Sequence, residues 1–221
     1  MFTKLPRWVE VGGFWLAAIA GAVNAVGMLG FRHQAVSHLT GTSTLLGLSL
    51  VNFDGSESAH LILILISFVL GAAFSGALID NAVLRLGHRY SLALLIEAAL
   101  LLTAMRWLDH GVEAGQFLAS AACGLQNGMV STYSGATVRT THVSGLFTDL
   151  GTMLGARLRG HPLDTRKALL FLLLISGFIL GGAIGAFSYR QLRFSTLAIP
   201  AAGAILLALV NSIYVGRGGG R

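Results

Sequence analysis

The stretch SHLTGTST, residues 37–44, places six polar side chains in eight positions of a chain whose flanking segments are apolar. THVSGLFTD, residues 141–149, carries the same pattern a second time. Hydroxyls and a histidine between greasy segments raise one question: is this a loop in water, or a break in the membrane?

Composition answers first. The chain is 54% apolar and only 11% charged, with a mean hydropathy of +0.75. A soluble domain carries about 25% charged residues, so too little charge is present to cover a water-facing surface. Apolar runs at 11–31, 61–79, 91–105, 168–188 and 195–215, and a weaker one at 115–133, approach the roughly 20 residues that a membrane-crossing helix needs. They lack the short alternation of a membrane barrel. The reading is an all-α, polytopic helical membrane protein forming a single transmembrane domain over residues 1–221. Net charge is +6, but the basic residues sit mostly between apolar runs, where they orient helices, so no nucleic-acid partner is expected. Cys123 is the only cysteine, which excludes an internal disulfide. Residues 1–25 imitate a secretory signal. Because the first run continues to Phe31 and residues 21–27 have a counterpart downstream, a retained first helix is expected.

The second observation is duplication. GAVNAVG (21–27) aligns with GLQNGMV (124–130), placing Gly21 on Gly124 and Asn24 on Asn127. HLTGTSTLLG (38–47) aligns with HVSGLFTDLG (142–151), pairing His38 with His142, Thr40 with Ser144, Gly41 with Gly145 and Thr44 with Thr148. FVLGAAFSGA (68–77) matches FILGGAIGAF (178–187), with Gly71 on Gly181, and SLALLIEAAL (91–100) lies beside TLAIPAAGAI (196–205). The repeat units are 11–108 and 115–215, two homologous halves of about three spans plus one short helix each. The apolar part of each short segment, about 40–52 and 144–156, suits a half-helix better than a span. If those segments do not cross, eleven Lys and Arg fall on the N-terminal side and four on the other; if they cross, the split is nine to six. Six spans fit the charge bias better and put both termini in the cytoplasm. Three spans per copy then give inverted repeats, as in many transporters.

A half-helix starting in the membrane would turn unpaired N–H groups and its positive end inward, toward an anion or carboxylate. Ser, Thr and Gly are natural caps, and Gly41 and Gly145 are expected to permit a sharp turn before the helix. The substrate- or ion-binding candidates are His38, Thr40, Gly41, Thr42, Thr44, Arg139, Thr141, His142, Ser144, Gly145 and Thr148, with Asn24 and Asn127. Arg32 could add positive charge. Glu97, midway along an apolar run, and Asp149, opposite Leu45 in the alignment, are proton-handling candidates, since an intramembrane carboxylate is costly. The plainer reading of every one of these is packing: small and hydroxyl residues bind membrane helices to one another, and the glycines at 71, 76, 181, 182 and 185 suit close helix contact. His60, His88, His110 and His161 are expected in solvated loops. No metal site and no cofactor is expected, and no catalytic motif is present.

AGAVNAVGMLGF with HLTGTSTLLGLSL, then ACGLQNGMVSTYSGATVRTTHVSGLFTDLG, resembles the YoaK/DUF1275 family of bacterial inner-membrane proteins over essentially the whole chain. The second signature is the more specific. The first departs from an acidic residue and an Asn-Met-[ST]-Gly-Asn pattern frequent in that family. The resemblance implies a multi-span bacterial inner-membrane protein and names no substrate. The function expected from the residues is a small-solute transporter or channel for a small anion or organic acid, with possible proton coupling. The alternatives are a regulatory or interaction subunit, or an intramembrane enzyme acting through His142 and Asp149. The bilayer and a small molecule or ion are the partners; a homodimer is open to a bundle this small.

Overall fold

The computed structural model describes residues 7–30, 34–79, 87–134 and 140–219. It is helical throughout, with no strand among the described residues. The helices are α1 (Arg7–Gly30), α2 (Leu39–Val51), α3 (Gly55–Leu78), α4 (His88–Asp109), α5 (Gly115–Ser134), α6 (Val143–Leu158), α7 (Thr165–Leu192) and α8 (Ala198–Tyr214). Four stretches, Glu10–Gly30, Gly55–Leu78, His88–Asp109 and Thr165–Arg217, are long and apolar enough to cross a membrane. The last reverses at Arg193, whose φ of 51° ends α7 before a short 3-10 turn leads into α8. α5 is diluted by Gln116, Ser120, Gln126 and Asn127. Outward-facing side chains such as Val69, Leu70, Leu172, Ile179 and Leu206 are apolar and exposed, the inverse of a soluble protein.

Side-chain pairings fix the directions of the helices. α1 and α7 run parallel: Phe14, Ala18 and Ala22 meet Gly177, Gly181 and Gly185 in order. α3 and α5 also run parallel, from His60 on Phe117 to Ala72 beside Gly128. α4 and α8 are antiparallel. Asn211 donates to Ser91 Oγ (2.7 Å) and to the Gly87 carbonyl at one end, and Ser195 donates to Asp109 (2.9 Å) at the other. The Glu10–Arg166 ion pair (3.0 Å) joins the starts of α1 and α7. We call that end proximal and the opposite end distal.

Two crossings depend on the absence of a Cβ. One built on Gly21 would lie 2.1 Å from the Phe178 carbonyl oxygen, and one on Gly181 2.0 Å from that of Ala18. On the other pair, Gly124 would meet the Phe68 carbonyl at 2.0 Å and Gly71 that of Ala121 at 2.0 Å. These are the glycines that the sequence alignment places in register. Without a hydrophobic driving force in lipid, such backbone contact supplies the packing energy. Gly76, expected in the same role, has nothing within 4 Å, and Gly182 meets only the Gly21 carbonyl at 3.7 Å.

α2 and α6 are the short helices, of 13 and 16 residues. α2 is antiparallel to α3 through a tight turn, in which Asp54 caps Glu57 N–H (3.0 Å) and Ser49 bonds Ser58 (2.9 Å). At about 1.5 Å per residue its thirteen residues span about 20 Å, too little for a bilayer core of about 30 Å. The non-helical residues 34–38 supply the inward path: Gln34 bonds Glu57 near the distal end, Val36 O accepts from Ser120, and His38 reaches Phe178 midway along α7. α6 packs on α7 and leads to its proximal start.

The crossings yield a test. Gly124→Ala should lower the melting temperature of the detergent-solubilised protein, because overpacking costs about 1–3 kcal/mol or more, whereas Gly76→Ala should leave it within error. Equal effects would refute the assignment of close contact to the α3–α5 pair.

Candidate functional site

The short helices α2 and α6 begin within the two polar motifs, and His38 and His142 lie within electrostatic reach of each other. His38 is the residue before α2 and His142 the residue before α6, and neither helix start has a side-chain cap. This corrects the expectation from the sequence. The caps are the histidines, not a hydroxyl or glycine, and Gly41 and Gly145 lie inside the first turn, their N–H groups bonded to His38 O (3.0 Å) and His142 O (3.1 Å). The chain bends before the histidines, so the glycines are not needed for the turn. Gly145 does other work: a Cβ there would sit 3.1 Å from His142 Nδ1. His38, half-buried, stacks edge-on against Phe178 at 5.6 Å and lies within electrostatic reach of His142.

A long helix, α1 or α5, latches each histidine through the residue before it. Ser37 donates to Asn24 Oδ1 (3.0 Å), and Asn127 exchanges two bonds with Thr141, 2.6 Å from Nδ2 and 2.9 Å to Oδ1. Asn24 and Asn127 are aligned residues, and Ser37 and Thr141 each precede an aligned histidine. Next to the latches the two copies differ. Gln126 donates to Leu16 O (2.7 Å) and Thr140 Oγ1 (3.3 Å), whereas the corresponding Val23 and Val36 are buried apolar side chains. Ser37, Gln126, Thr140 and Phe178 are not among the binding candidates read from the sequence, although Gln126 and Thr140 fall in the signature that carries the family resemblance. The offset of one residue from each histidine was the signal available for Ser37; nothing pointed to Phe178.

Other candidates lie elsewhere. Thr42 is buried and bonds Ala35 O (3.3 Å) and His38 O (3.4 Å), so it stabilises the bend. Thr44 and Thr148 return their hydroxyls to Thr40 O and Ser144 O on their own helices (both 3.0 Å) and are exposed, as are Thr40, Gly41, Ser144 and Asp149. Glu97 is fully buried in α4, within electrostatic reach of Tyr90 and Cys123, and its Oε2 has no hydrogen-bond partner. Arg139 and Arg32 fall outside the described residues. His60 corrects another expectation: it is buried in α3 against Phe117 at 5.3 Å, not in a loop. Among the described residues no group of three His, Cys, Asp or Glu could hold a metal ion. An open groove of about 360 Å³ between α1, α7 and α8 is walled by apolar residues including Trp15, Ile184 and Pro200, and it includes no residue of either motif.

Residues 12–210 match the family described as "Protein of unknown function (DUF1275)". The chain belongs to this family. No curated protein and no solved structure matches it.

The latch is measurable. A double-mutant cycle of Asn127→Ala and Thr141→Val on unfolding in detergent should give a coupling of roughly 0.6–1.7 kcal/mol, the range for interhelical hydrogen bonds in membranes. Strict additivity would remove the latch.

Proposed function

We propose that this membrane protein is a small-solute transporter or channel that binds a small anion or organic acid where α2 and α6 begin. The observation that carries the reading is the approach of His38 and His142, each heading a short uncapped helix. The first turn of a helix has N–H groups without intrahelical partners and a partial positive charge, so two such ends with two imidazoles form a receptor for negative charge. Discontinuous helices meeting at mid-depth are a recurrent solution for substrate sites in transporters.

The same reading takes the chain as an inverted duplication. Helices that align in sequence run in opposite directions, the aligned glycines make equivalent crossings, and the Asn latches recur. α2 then descends from the distal face and α6 from the proximal face, which suits alternating access. The exposed Thr40, Thr44, Ser144, Thr148 and Asp149 lie at depths where lipid offers no hydrogen bonds, and they suit the wall of a water-filled vestibule. A second copy of the chain would form the opposite wall. Glu97 and Asp149 remain the proton-handling candidates, and the cell's inner membrane with both termini cytoplasmic is the proposed setting.

Flux of a panel of small organic anions into proteoliposomes tests this directly. The His38→Ala, His142→Ala double variant should lose roughly tenfold or more, equivalent to about 1.4 kcal/mol or more of interaction. Flux equal to that of the unaltered protein would exclude the histidines from the pathway.

A further inference from the structure

A second polar layer lies between the distal face and the histidines. Ser120 on α5 donates to Ile64 O (2.9 Å) on α3 and to Val36 O (3.3 Å) on the non-helical segment 34–38, so these three residues form one layer. α3 and α5 are parallel. One turn nearer the distal face they carry His60 and Gln116, and two residues earlier the non-helical segment carries Gln34. His60 packs on Phe117, the neighbour of Gln116. Gln34 Nε2 donates to Glu57, which lies one turn before His60. The three side chains therefore form the next layer. Each is more than nine-tenths buried, and each has an atom with no hydrogen-bond partner among the described residues: Gln34 Oε1, His60 Nε2 and Gln116 Oε1.

Orphaned buried polar atoms are costly, about 1–3 kcal/mol each. Three in one layer call for an occupant. Two are amide oxygens, which can only accept, and the third accepts when the imidazole proton is on Nδ1. Two amide oxygens and an imidazole nitrogen in one layer, all able to accept, suit a small cation. Hard cations favour neutral and anionic oxygens, and unwound segments beside broken helices coordinate coupling ions in transporters. The acidic residues near this end, Asp54 and Glu57 beside α3 and Glu113 before α5, favour entry of positive charge.

We propose that Gln34, His60 and Gln116 form a site for a small monovalent cation of the sodium class. Bound there, the ion orders residues 34–38, the segment that delivers His38 to the centre. Its role as a coupling ion rests on the transport reading; its binding does not.

The test is thermal unfolding of the full chain in detergent, with sodium, lithium or potassium chloride each compared with choline chloride at equal ionic strength. At least one of the three cations should raise the melting temperature above the choline value. Gln116→Leu should abolish that difference, and Gln34→Leu serves if the first variant does not fold. No cation-specific rise, or the same rise in the variant, would overturn the proposal and leave a polar layer satisfied by water alone. If the cation effect appears and vanishes with the glutamine while no anion flux is found, the site stands and the transport reading falls.

Discussion

Residues 34–38 impose the constraint on which the rest depends. Backbone outside a helix leaves N–H and C=O groups without intrahelical partners, and lipid offers none. This segment descends to mid-depth only because protein surrounds it. Ser120 from α5 takes the Val36 carbonyl, Asn24 from α1 holds Ser37, and Phe178 from α7 covers His38. Three helices, α1, α5 and α7, must therefore stand close together around one non-helical segment of backbone.

The glycine crossings make that possible. Side chains at Gly21, Gly71, Gly124 or Gly181 would collide with carbonyl oxygens about 2 Å away, and the helices would separate. Removing those side chains brings α1 onto α7 and α3 onto α5, each partner coming from the other half of the chain. Phe178 joins the two systems. Its carbonyl forms one side of the Gly21 crossing, and its ring forms one side of the His38 pocket. Packing and site are thus set by the same residue.

Much of this was legible in the sequence, for physical reasons. Long apolar runs have one stable form in lipid, so the spanning segments fell close to the observed helices: 61–79 within Gly55–Leu78 plus one residue, 115–133 within Gly115–Ser134. The short apolar length at 40–52 identified α2 as a half-helix. Partner choice was not legible, since an apolar face does not state which apolar face it meets, and Gly76 reads like Gly71 yet is open. The caps were misread because Ser and Thr lead every soluble preference, while here the histidines head the helices and hydroxyls such as Thr44 and Thr148 bond their own backbones. His60 was assigned to a loop because the apolar run begins just after it; burial by Phe117 carries the helix further.

The central claim is that two helix starts from opposite faces meet inside the bilayer. Cross-linking tests it most directly. In a Cys123→Ser background, cysteines replacing His38 and His142 should be joined within one chain by a short bismaleimide in native membranes, while the pair at Thr44 and Thr152 should not. Failure to link 38 to 142, with each single cysteine still reactive, would contradict the account.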